Sequence, residues 1–136
     1  MRLRAILASV AVTLLAACGD ATGPTSPVAA YALSSVDTKA LPVVMYAEEG
    51  YSLEVTAGEM TLTADGKYTA SMRVVETVDG NKSTYVDTES GTWTQADGGA
   101  ITLKPTGAAE YSATWSGKTL TVPVFEQTFV YTMKDG

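Results

Sequence analysis

The stretch Lys67-Tyr68-Thr69-Ala70-Ser71-Met72-Arg73-Val74 alternates residue by residue between side chains that prefer a core and side chains that prefer water. A period of two places Tyr68, Ala70, Met72 and Val74 on one face and Lys67, Thr69, Ser71 and Arg73 on the other, which a strand can use and a helix cannot. Shorter runs of the same kind occur at Ile101 and Leu103, at Tyr111, Ala113 and Trp115, at Leu120, Val122 and Val124, and at Phe129, Tyr131 and Met133. Between the runs stand Asp65-Gly66, Asp79-Gly80-Asn81, Asp97-Gly98-Gly99, Thr106-Gly107 and Ser116-Gly117. These supply the positive φ that tight hairpin turns require, so consecutive strands become antiparallel neighbours.

The 20 Thr residues, with abundant Val and Tyr, reinforce the β reading from Ala30 onward. Strands are predicted near 30–35, 42–47, 51–56, 59–63, 67–78, 82–89, 91–95, 100–104, 111–115, 119–124 and 127–133, with some of the early segments merging. Pro42 suits a strand start and Pro123 a bulge or an edge, because proline cannot donate to a ladder. An antiparallel up-and-down meander of roughly eight to ten strands removes its two unpaired edges by closing into a barrel. The expected fold is therefore an all-β barrel, with a two-sheet sandwich as the alternative.

The N-terminus has a different composition. Met1-Arg2-Leu3-Arg4 precedes an apolar run from Ala5 to Ala17, interrupted only by Ser9 and Thr13. This is the charged, then apolar, then small-residue order of an export signal. As a helix the run would cover roughly 20 Å of a hydrocarbon core about 30 Å thick, too little for a permanent span. Leu15-Ala16-Ala17-Cys18 resembles the lipobox of bacterial lipoproteins, which implies cleavage before Cys18 and acylation of that thiol, the only one in the chain. Several acyl chains together anchor firmly where one binds only marginally. The expected organisation is a signal peptide over 1–17, a lipidated Cys18 with a Gly, Pro, Ser and Thr-rich tether over 18–27, and a barrel domain over 28–136. By the same resemblance, Gly19 followed by Asp20 leans towards an outer membrane, facing the periplasm, if the cell is Gram-negative.

Charge and composition exclude several activities. Cleavage removes Arg2 and Arg4 from the 9 basic side chains, leaving 7 against 15 acidic ones and a formal net charge of −8. Lys39, Lys67, Arg73, Lys82, Lys104, Lys118 and Lys134 are scattered singly, so no nucleic-acid partner is expected. The chain has no His, and Cys18 is committed to lipid. Histidine- and thiolate-based catalysis, metal ligation and disulfides are thereby excluded. No enzyme activity, metal or cofactor is expected. Asp87 and Glu89, two apart on a strand, read as a solvated acidic face, as do Glu48 and Glu49 beside Tyr46 and Tyr51.

The segment from Tyr31 to Pro42, with its polar turn and Leu41-Pro42 pair, resembles the opening of bacterial lipocalin-like domains. Gly58 to Tyr68, Gly91-Thr92-Trp93-Thr94, Ile101-Thr102-Leu103 and Phe129 to Lys134 are similar to the elements that follow in that family. The Gly-x-Trp signature of animal lipocalins is missing. The resemblance implies a small calyx. An eight-stranded barrel has an interior that side chains fill or that holds one small ligand. The candidate lining is Tyr68, Met72, Tyr85, Trp93, Tyr111, Trp115, Phe129 and Tyr131, whose aromatic bodies and flexible thioether suit a small hydrophobic molecule. The alternative is a packed barrel that serves as a structural or protein-interaction module of the envelope.

Overall fold

The computed structural model describes residues 25–135. The predicted signal peptide over 1–17, Cys18 and most of the predicted tether over 18–27 lie outside the described residues. Ten strands follow in chain order: β1 (Ala29–Val36), β2 (Lys39–Ala40), β3 (Val43–Glu48), β4 (Tyr51–Leu62), β5 (Lys67–Val78), β6 (Asn81–Gln95), β7 (Ala100–Pro105), β8 (Tyr111–Ser116), β9 (Thr119–Val124) and β10 (Gln127–Met133). From β4 to β10 each strand pairs antiparallel with the next, and β1 pairs with both β10 and β4. The result is a closed, up-and-down antiparallel barrel of eight strands.

The closure seam is built at β1. Ala29–Ala32 pairs with Leu62–Glu59 of β4, and after an irregularity between Leu33 and Ser35 the strand turns to β2, with Ser35 opposite Ala40 and Val36 opposite Lys39. Asp37 and Thr38 both take positive φ in this turn, as a two-residue primed hairpin demands. Leu41-Pro42 is a cis peptide linking β2 to β3, and β3 then pairs with the first half of β4. The β2–β3 segment thus fills the wedge where β1 and β4 part. Gly58 sits at that parting, where an added Cβ would come within 2.9 Å of Leu33 Cβ.

The predicted strands 51–56 and 59–63 are one strand, β4, bent by a register shift between Val55 and Ala57. Likewise 82–89 and 91–95 form the single 15-residue β6. Pro42 precedes β3, and Pro123 lies beyond the β8–β9 ladder, which ends at Thr121. Its missing N–H therefore costs that ladder nothing.

The alternation read from β5 holds in three dimensions. Tyr68 and Val74 are buried and Ala70 and Met72 half-buried, while Lys67, Thr69 and Arg73 face water. Sixteen buried apolar residues form one cluster inside the barrel, including Tyr31, Leu62, Tyr68, Ile101, Leu103 and Leu120. Burying each of the larger ones contributes about 1.5–3 kcal/mol.

The end where β1 begins is closed. Pro27 is fully buried there, and the Tyr31 hydroxyl donates to its carbonyl at 2.6 Å. Trp93 Nε1 donates to the Thr63 carbonyl at 2.9 Å, tying the Asp65-Gly66 turn to β6 at the same end. The N-terminal segment therefore enters at the plugged end of the barrel, and the opposite end is free to open.

Candidate functional site

The opposite end opens because β6 and β7 separate. Their ladder runs only from Gln95 opposite Ile101 to Gly91 opposite Pro105. At Gly91 an added Cβ would lie 2.0 Å from the Lys104 carbonyl oxygen, so the last pair forms only with glycine there. Pro105 has no N–H with which to extend the ladder. Beyond this pair a single bond, from Thr106 N–H to the Ser90 carbonyl at 2.9 Å, joins the two sides. The rest of β6, from Asn81, keeps its full ladder with β5 and has no β7 partner. Strands β3 to β6 consequently continue past the rim as a four-stranded wall.

A cavity of about 730 Å³ lies between this wall and the facing β8–β10 region. Its lining includes Met60, Met72, Tyr111, Val122, Val124, Phe129 and Tyr131, with Asp87 and Glu89 from β6 and Phe125 at the β9–β10 turn. Smaller depressions of about 340, 510 and 390 Å³ lie over the strands of the β4–β7 side and are lined largely by Ser, Thr and charged residues. Of these four, the 730 Å³ cavity alone combines an apolar interior with a few polar groups, the usual form of a small-molecule site.

Glu89 is the polar centre of this cavity. The hydroxyls of Tyr68 and Tyr111 donate to its Oε1 at 2.6 and 2.5 Å. Its Oε2 has no hydrogen-bond partner among the described residues, and neither does the side chain of Asp87. Burial, followed by the hydrogen bond to Glu89, raises the Tyr68 and Tyr111 hydroxyls well above the ordinary phenol range. Burial and then the nearby Glu89 charge push Tyr131 up to about 12. An ionised phenolate would lose its solvation and face that carboxylate, so the neutral O–H form is favoured.

The exposed part of the wall continues the same chemistry. Tyr51 donates to Glu76 Oε2 at 3.0 Å, Tyr85 to Glu76 Oε1 at 3.4 Å, and Tyr46 to Glu48 Oε2 at 2.8 Å. The Tyr46 and Tyr51 rings pack with centroids 5.8 Å apart. Strand register places Glu48, Glu76, Asp87 and Glu89 on the inner face of the wall, whereas Lys67, Arg73 and Lys82 lie on its outer face.

Of the eight residues proposed as lining from the sequence, Met72, Tyr111, Phe129 and Tyr131 line this cavity. Tyr68 lies beneath it and reaches it through Glu89. Trp93 and Trp115 pack against the core at the closed end, and Trp115 Nε1 is buried with no hydrogen-bond partner among the described residues. Tyr85 has the inward parity but stands beyond the β6–β7 ladder, half exposed on the wall. These three are not part of the cavity, because parity fixes a side chain's face and not its height along the barrel. The reading of Asp87 and Glu89 as a solvated face is corrected for Glu89, which is half-buried and held by two tyrosines. Its signal was present in the sequence: Tyr85, Asp87, Glu89, Gly91 and Trp93 share one parity on β6.

No protein-family model matches the chain, and no curated protein matches it.

Proposed function

We propose that this chain is a lipid-anchored binding protein of the cell envelope, lipocalin-like in its barrel, which takes a small molecule with an apolar body into its open end. The observation that carries this reading is the mouth cavity, about 730 Å³ and lined by Met72, Tyr111, Phe129 and Tyr131 around one oriented carboxylate. A volume of several hundred Å³ suits a single small ligand. Anchoring through Cys18 fits the geometry, since the chain enters at the plugged end and a tether there would hold the mouth away from the bilayer. The chemistry we assign is reversible binding without catalysis.

Native mass spectrometry tests the reading on residues 20–136, which keep the whole core from Pro27 to Met133. A low-mass molecule co-purifying with the chain, and lost on Met72→Trp to fill the cavity, is the expected result. A chain that stays empty when purified from its own cells and when offered apolar probes would refute it. Labelling with radioactive palmitate tests the anchor: incorporation should require Cys18.

A second reading, a protein-interaction module, is favoured by one observation. Phe125 is fully exposed at the β9–β10 turn with positive φ, across the mouth from Tyr46, Val78 and Tyr85, which are also exposed. Crosslinking to a specific protein partner, with no small molecule bound, would favour it.

A further inference from the structure

The cavity is not electrically neutral. Among the described residues, Asp87 and Glu89 are the only charged side chains that line it, both are acidic, and no Lys or Arg of β3–β6 shares their face. Glu89 is held on one side only: Tyr68 and Tyr111 both donate to Oε1, which leaves Oε2 to accept from a ligand. The two hydroxyls also fix the carboxylate's orientation, so little rotamer entropy remains to be lost when a donor arrives. The aromatic rings of Tyr111, Phe129 and Tyr131 line the same cavity. Aromatic faces attract cations through the ring quadrupole, and a desolvated site strengthens that attraction. A carboxylate-bearing ligand would meet the opposite situation, with its charge beside Glu89 and Asp87 and no cation to neutralise it.

From this we infer that the ligand of the mouth cavity is an organic cation, an ammonium group carried on an apolar body, with the ammonium at Glu89 Oε2 and the apolar part against Met72, Phe129 and Tyr131. The inference rests on the binding function proposed above and names the ligand class of that same site. It assigns Glu89 as the charge-selecting residue, Asp87 as a second, more exposed acceptor at the rim, and Tyr68 and Tyr111 as positioning residues that aim the carboxylate.

The test uses three probes of equal chain length, decylammonium, decanol and decanoate, titrated by calorimetry into residues 20–136 below their micellar range. The ionic strength is held near physiological, where charges beyond about 8 Å are largely screened. Decylammonium should bind about tenfold or more tightly than decanol, the value of a hydrogen bond to a charged group, and decanoate more weakly than decanol. Glu89→Gln should narrow the ammonium-to-alcohol ratio several-fold. Glu54→Gln, which removes the same charge from the outer face of β4, should leave the ratio unchanged. Equal or tighter binding of decanoate overturns the inference while leaving the cavity a binding site, and so does an unchanged ratio in Glu89→Gln. Failure of all three probes overturns the binding function itself and the inference with it. Should Glu89→Gln not fold, the order of the three probes on the unsubstituted chain still decides.

Discussion

Removing the Tyr68 or Tyr111 hydroxyl by substitution to Phe leaves each ring in place and deletes one hydrogen bond to Glu89 Oε1. Hydrogen bonds to charged groups contribute about 1.5–3 kcal/mol when buried and less near water. Tyr68 is 1% exposed and Tyr111 half-buried, so Tyr68→Phe should cost about 1.5 kcal/mol and Tyr111→Phe about 1 kcal/mol. The two changes are coupled because they share one acceptor. With one hydroxyl left, Glu89 retains a donor; with neither, a half-buried carboxylate has no protein partner. The double variant should therefore exceed the sum of the singles by about 0.5–1 kcal/mol. Urea unfolding followed by tryptophan fluorescence gives the four stabilities needed, on the assumption of a two-state transition at this size. In a Glu89→Ala background each Tyr→Phe change should be close to neutral. Single variants as stable as the parent, or equal losses with and without Glu89, would refute the assignment of these tyrosines to the carboxylate.

Alkaline pH provides a second handle. Tyr31 and Tyr131 are both pushed up to about 12 from the ordinary value of 10.0, chiefly by burial, and Tyr68 and Tyr111 are raised as well. A raised folded value means that the unfolded chain releases these protons first, so their contribution is intact below pH 10 and is lost as pH rises from there through the folded values. The urea midpoint should fall steeply between pH 10 and 12, with tyrosinate absorbance rising in step with unfolding; a flat midpoint would contradict the burial described. Gly91→Ala forces a Cβ into the Lys104 carbonyl, and should destabilise by about 3 kcal/mol or more, with lost amide protection along β7 as the local sign. Cutting the chain after Pro27 removes the plug and the acceptor of the Tyr31 hydroxyl, which should cost about 2 kcal/mol relative to a chain beginning at residue 20; equal unfolding midpoints would show that the plug is dispensable.

The barrel was legible in the sequence because its evidence is local. Alternation over Tyr68, Ala70, Met72 and Val74 fixes a face, and Asp79-Gly80 fixes a hairpin, with both residues at positive φ. Much of the seam was not legible. The transfer of β1 from β4 to β2 depends on pairing between residues about thirty positions apart, such as Ala29 and Leu62, and no neighbouring residues encode it. The site shows the same division. Parity placed Met72, Tyr111, Phe129 and Tyr131 inside, and they line the cavity. The same parity placed Tyr85, Trp93 and Trp115 beside them, but height along the barrel is set by where β6 leaves β7, a consequence of Gly91 meeting Lys104 and Pro105. Glu89 escaped because a charged residue on a strand is ordinarily solvated; only the tyrosines of β5 and β8, distant in sequence, make its position tenable.

Chemical-shift mapping by NMR bears most directly on the account. With decanol added to residues 20–136, shifts should concentrate at Met72, Tyr111, Phe129 and Tyr131, with contacts from the alkyl chain to the Met72 methyl and Phe129 ring. Shifts confined to Tyr46, Val78 and Tyr85, on the wall beyond the rim, or none at all, would contradict a ligand held in the mouth of the barrel.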